Sequence, residues 1–211
     1  MSSFPLSARI GIGAAVFALG AGALFFAGQP NRDIQQAVTE SNCATRAYAE
    51  IGGPFSLIDQ TGAPMTEADL KGGHSLVFFG FAYCPDICPM TLVKLRDVLE
   101  QLPEGVEKPT PVMITIDPER DTPEELALYA STPAFPQNLV ALTGDSEAIK
   151  SVADAFKAAY WRIDQPNSVG GYTMGHTDIV YLMDDEWRLS TFFTYDETPE
   201  DMAACIADAV A

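Results

Sequence analysis

Residues Ser75 to Phe81, SLVFFGF, form an apolar run with no polar alternation. A strand with one wet face alternates, so an unbroken run predicts a strand buried on both faces, in a sheet covered by helices. The chain then reads Ala82-Tyr83-Cys84-Pro85-Asp86-Ile87-Cys88-Pro89 and enters a helical pattern over Ile87 to Leu102, stopped by Pro103. The junction between a buried strand and a helix is where α/β sheets place their chemistry. Asp86 reads as the helix N-cap and Pro89 fits the first turn, where a missing N–H is tolerated. Cys88 falls in that first turn and Cys84 just outside it, where unpaired N–H groups and the helix dipole favour thiolates.

The rest of the chain supports an α/β domain. Phe55 to Asp59 reads as a strand, Gln60 to Ala63 as a turn, and a short helix follows Thr66. Pro111 to Ile116 is a second apolar strand. Thr122-Pro123-Glu124-Glu125 opens a helix with Thr as cap and Pro at the first position. Leu139 to Leu142 is a short strand, and Asp145 to Tyr160 an amphipathic helix. Thr177 to Met183 and Trp187 to Phe193 read as a hairpin through Asp184-Asp185-Glu186. Thr198-Pro199-Glu200-Asp201 opens a final helix. The order is β, βαβαβα, ββα. It predicts an α/β, thioredoxin-like mixed sheet flanked by helices.

Residues Ile10 to Gly28 are 19 positions without a charge, long enough to span a bilayer core as a helix. Arg9 and the terminal amine favour a cytoplasmic N-terminus. The segment reads as an uncleaved transmembrane signal-anchor. The alternative is a cleavable signal peptide with its site near Ala21-Gly22-Ala23, although the apolar run continues past it. The expected organisation is a cytoplasmic segment 1–9, an anchor 10–28, a polar tether 29–51 and a globular domain 52–211. Either reading of the anchor places that domain outside the cytoplasm, in a thiol-oxidising space. The chain carries 12 Lys and Arg against 29 Asp and Glu, a net charge of -17. With no basic cluster, nucleic acid is excluded as a partner.

Four cysteines and two histidines are too few for a disulfide scaffold and enough for one metal or redox site. A two-residue spacer is the usual redox pattern, whereas Cys84 and Cys88 are separated by three. The pair can still close a disulfide, and the longer loop lets both sulfurs converge on a soft ion such as Cu(I). Buried inert thiols, a redox pair and a metal pair are the readings left open by the residues alone. His176 sits in the Gly-rich stretch Gly170 to His176, which reads as a mobile loop before a strand. In a thioredoxin-like sheet this stretch faces the cysteine junction, so His176 becomes the third candidate ligand, as neutral imidazole. No Pro occurs between Pro166 and Pro199, in the region where thioredoxin-type oxidoreductases usually carry one. His74 reads as a surface loop residue. Met90 and Met174 read as packing residues rather than thioether ligands. Cys205 shares a helical face with Met202, Ile206 and Val210 and is expected in the core. Cys43 lies in the tether, and a Cys43–Cys205 bridge is compatible with the sequence.

Together these residues resemble the Sco/SenC family of copper-binding, membrane-tethered, thioredoxin-like proteins. The resemblance runs through Gly52-Gly53-Pro54-Phe55 with Asp59 and Gly62, Phe79-Gly80-Phe81 with the Cys84 to Pro89 motif, Ile116 to Pro123 (IDPERDTP), and His176-Thr177 ahead of Val180 to Asp184. It implies that Cys84, Cys88 and His176 bind copper, as Cu(I) or Cu(II). It also implies a copper chaperone for assembling the dinuclear copper centre of cytochrome c oxidase subunit II, with a copper donor protein as a further partner. The domain would stand in the periplasm or the mitochondrial intermembrane space. The resemblance implies support of the site or partner docking by Asp117 to Asp121; a well-capped strand-to-helix turn explains the same residues. Gly175 departs from the family, whose members often carry Asp before the histidine.

The resemblance implies a metallochaperone rather than an enzyme. The alternative is a thiol–disulfide oxidoreductase in which Cys84 attacks and Cys88 resolves, forming a Cys84–Cys88 disulfide. A peroxidase is disfavoured, because Phe81 stands where peroxiredoxins place Thr or Ser.

Overall fold

The computed structural model describes residues 51–168 and 170–210. The expected segments 1–9 and 10–28, nearly all of the tether, and Cys43 lie outside them. Among the described residues, no helix is long and apolar enough to cross a membrane.

The elements run β1 (Ser56–Asp59), β2 (Pro64–Thr66), a 3-10 turn (Glu67–Leu70), β3 (Ser75–Gly80), α1 (Ile87–Gln101), β4 (Thr110–Thr115), α2 (Pro123–Ala130), β5 (Val140–Thr143), α3 (Ser146–Ala155), β6 (Tyr160–Asp164), β7 (Tyr172–His176), β8 (Ile179–Met183), β9 (Leu189–Thr194) and α4 (Pro199–Ala209). Seven strands form one mixed sheet in the order β2-β1-β5-β4-β3-β8-β9, and β6 pairs with β7 separately. β3 is parallel to β4 and antiparallel to β8. Every residue of β3 is buried, as its apolar run requires. This is the thioredoxin-like α/β fold.

The topology positions the site. Parallel β3 and β4 end at the same edge of the sheet, so the Cys84 loop and the Asp117–Asp121 turn emerge side by side. β8 runs the other way, with Val180 opposite Phe78, so the link that precedes it arrives at that edge too. α1 buries Cys88, Thr91, Leu92, Leu95, Val98 and Leu99, one face at helical spacing, and contacts α4. Thr122, Asp145 and Thr198 each cap a helix by accepting a backbone N–H. Asp86 occupies the cap position of α1 without making that bond.

Two expectations are corrected. The helix expected to reach Tyr160 stops at Ala155, because Lys157 turns into the left-handed region (φ 57°) and the Ala158 N–H bonds the Ala153 carbonyl at 2.9 Å. Tyr160 instead opens β6. The Gly-rich stretch before His176 is not a loop but β7, with Gly175 opposite Trp161 and His176 opposite Tyr160. Its hairpin partner explains the ordering: a Cβ on Gly175 would lie 2.5 Å from the Trp161 indole, so the ring lies flush on the glycine. His74 lies in the loop before β3, as expected, with its ring nitrogen 3.4 Å from Glu107. Cys205 is buried in α4, as expected from its helical face, and is disulfide-bonded.

Candidate metal and thiol centre

Cys84 and Cys88 are both free thiols, Cys84 half-buried and Cys88 buried. The Cys88 backbone N–H points at Cys84 Sγ at 3.4 Å. This is the donation an N-terminal helical turn offers an anion. The Cys84 thiol is pushed down to about 4, chiefly by the Cys88 thiol donating to it. Burial opposes this, while His176 and the backbone N–H groups of Cys88 and Asp86 reinforce it. Cys88 moves the other way, raised because it donates to Cys84 and is buried. The pair therefore holds one proton between an outer thiolate and an inner thiol.

His176 ends β7 with Nε2 3.7 Å from Cys88 Sγ. Its Nδ1 lies 2.9 Å from the Thr177 carbonyl oxygen, which only accepts, so Nδ1 carries the proton. In neutral imidazole Nε2 then carries the lone pair, and it faces the cysteines. Burial pulls the His176 value down, but Cys84, the Thr177 carbonyl and Asp178 outweigh it and the net shift is upward. Phe81 packs edge-on against the imidazole, with ring centroids 6.3 Å apart. The three expected site residues thus converge at one edge of the sheet. They do not stand ready-closed: among the described residues, no three His, Cys, Asp or Glu side chains already surround a common point.

Several further residues hold these groups, some of which the sequence did not signal. Gly80 is needed because a Cβ there would lie 3.1 Å from Cys88 Sγ and 2.8 Å from Phe78. Asp121 is fully buried and accepts the Ala82 N–H at 3.0 Å and the Thr115 hydroxyl at 2.6 Å, tying the cysteine loop to β4. Burial pushes Asp121 up to about 6 against those two hydrogen bonds. Asp117 pairs with Arg120 at 2.5 Å and accepts the Tyr172 hydroxyl at 2.8 Å. The Arg120 guanidinium lies 3.7 Å from the Tyr172 ring centre and 4.9 Å from that of Tyr83. Arg162 lies 3.7 Å from the Tyr172 ring centre as well. This stack joins the residue before Cys84 to the first residue of β7, the strand that ends in His176. The motif Asp117 to Asp121 signalled these contacts. Tyr172 and Arg162 carried no local signal. Met90 is largely exposed, and Met174 is partly buried against the core.

A thioredoxin-like domain that sets two thiols at a helix start against a histidine whose Nε2 faces them defines a class of thiol proteins. The chain belongs to the SCO1/SenC family, whose model matches residues 43–211. It is 40% identical over 153 residues to an SCO2-like protein of Rickettsia prowazekii, covering 72% of this chain and 74% of that protein. The crystal structure of Arabidopsis thaliana ScoI with copper bound is similar at a TM-score of 0.72 and 34% identity, covering 76% of this chain and 98% of that one. Bradyrhizobium japonicum ScoI with copper bound gives a TM-score of 0.67 at 38% identity, covering 75% of this chain and 99% of that one.

Proposed function

We propose that the chain is a copper metallochaperone that holds one copper ion through Cys84, Cys88 and His176. It would act in assembling the dinuclear copper centre of cytochrome c oxidase subunit II. The observation that carries this reading is the His176 imidazole. Its Nδ1–H is committed to the Thr177 carbonyl and its Nε2 faces Cys88 Sγ at 3.7 Å. Two sulfurs and an imidazole nitrogen are a soft donor set suited to Cu(I), and copper-bound relatives support the same choice. An open arrangement that closes on the ion fits a protein that must also release it. In this reading residues 10–28 anchor the chain, 29–51 form the tether, and the domain faces the periplasm or mitochondrial intermembrane space. A second protein would supply the copper.

The contrast between the two thiols supports a companion activity, reduction of target cysteines before metal transfer. The Cys84 thiolate attacks one sulfur of a target disulfide, forming a mixed disulfide and expelling a target thiolate. Cys88, losing its proton, then attacks Cys84 Sγ and expels the second. The target gains two electrons and the chain ends as the Cys84–Cys88 disulfide.

The test is copper stoichiometry of the full chain in detergent, loaded anaerobically with Cu(I) and separately with Cu(II). One copper per chain is expected in the wild type. Cys84→Ala/Cys88→Ala should lose it, and His176→Ala should bind more weakly. Full retention by the double variant would refute the site. No stoichiometric copper in the reduced wild type would leave the thiol–disulfide activity as the function, to be measured by disulfide reduction.

A further inference from the structure

Asp178 lies two residues beyond His176, in the link between β7 and β8. Its carboxylate points across to the helix that carries Cys88. Oδ1 faces the hydroxyl of Thr91 at 3.5 Å, a long contact, and Thr91 is buried on α1 three residues after Cys88. Oδ2 is buried and has no hydrogen-bond partner. A buried carboxylate oxygen left unpaired is unfavourable, so its place calls for a compensating positive charge nearby. Lys94, one turn further along α1, supplies part of it. Its ammonium, however, is committed to the carbonyls of Tyr195 and Glu197. Burial pushes the Asp178 carboxyl up, while His176, Lys94 and the Thr91 hydroxyl favour its charged form and Cys84 opposes it; His176 and Cys84 are both members of the proposed copper site. Cys88 feels its charge as well.

We propose that Asp178 is a positioning residue that tunes the copper oxidation state, placing a fixed negative charge behind His176 and Cys88 that favours Cu(II) over Cu(I). The inference rests on the copper reading of the site. Two thiolates and a neutral imidazole give Cu(I) a net charge of minus one and leave Cu(II) neutral. A neighbouring carboxylate stabilises the more positive of the two complexes. In a partly buried setting that Coulomb interaction is screened far less than in water. Asp178 acts on the site through its charge and through the short link to His176.

The experiment is the Cu(II)/Cu(I) potential of the copper-loaded full chain, measured in wild type, Asp178→Asn, Thr91→Val and Lys94→Gln. Asp178→Asn keeps the shape and removes the charge. It should still bind one copper, with the preference moved about tenfold toward Cu(I), a rise of ~59 mV for one electron. Thr91→Val removes the hydroxyl and keeps the carboxylate, so its potential should stay near wild type. Lys94→Gln removes the offsetting cation and should lower the potential, which keeps the idea testable if Asp178→Asn fails to fold. An unchanged potential in the charge variants, with copper still bound, overturns the inference and leaves the site reading intact. An equal shift in Thr91→Val would mean packing rather than charge and overturns it too. A wild type that binds no copper removes the site reading itself, and this inference with it.

Discussion

Cys88 donates its thiol hydrogen to Cys84, so the two thiols four positions apart titrate in opposite directions, although burial raises both. The folded value of Cys84, about 4, lies below that of the unfolded chain, so the unfolded state binds more protons between the two. The stability that Cys84 contributes therefore rises with pH across that window and is lost as the pH falls toward about 4. Alkylation of the reduced chain reads the same ionisation. Cys84 should react ahead of Cys88, at a rate that holds level through neutral pH and falls only as the pH approaches about 4. A midpoint in the ordinary thiol range near ~8.5 would contradict this. At Gly175 the controlling fact is the Trp161 indole, 2.5 Å from where a Cβ would sit. Gly175→Ala should destabilise the domain by ~1–3 kcal/mol in denaturant unfolding, as overpacking does. Adding Trp161→Ala should recover most of that loss, and no recovery would contradict the contact. The donor residues were legible because they lie in local motifs. Asp121 was legible only as part of the Asp117 to Asp121 segment, and Gly80 and Asp178 were not legible as supports, because their partners Cys88 and Thr91 are reached only in the packed sheet.

At the scale of elements, the β6–β7 hairpin was the feature the sequence hid. β6 reads YWRID with four exposed positions of five, so it offers no apolar alternation. β7 contains Gly175 and follows two more glycines, which reads as loop. The early end of α3 was hidden for a related reason: Lys157, not Gly, takes the left-handed position that closes the helix. The buried strands and the capped helices were legible, since β3, β4 and the Thr-Pro starts carry their signals within a few residues. The hairpin pairs only within itself, so its position depends on side chains such as Arg120, stacked on Tyr172 and paired with Asp117. A cation–π contact is worth ~0.5–1 kcal/mol at an exposed site and more where, as at Arg120, the guanidinium is mostly buried, enough to matter for a two-stranded unit. Arg120→Ala should speed amide hydrogen exchange in 172–176 while leaving β3 and β4 protected. Uniform acceleration across the sheet would mean that the arginine supports the whole domain instead.

For the molecule as a whole, one topological fact organises the site. β3 and β4 run parallel and β8 antiparallel, so three chain segments far apart in sequence meet at one sheet edge. The first brings the cysteines, the second Asp117 to Asp121, and the third His176 with Asp178. The alternation of strands and helices made the fold class legible. The approach of β7 and its link to the cysteine loop depends on strand order, which no local pattern records. The central claim is that this convergence makes a site of two sulfurs and one imidazole. X-ray absorption at the copper edge of the Cu(I)-loaded chain tests it most directly. Two sulfur neighbours and one nitrogen are expected, with the nitrogen lost in His176→Ala and the sulfurs lost in Cys84→Ala/Cys88→Ala. A first shell that His176→Ala leaves unchanged, or one without sulfur, would contradict it.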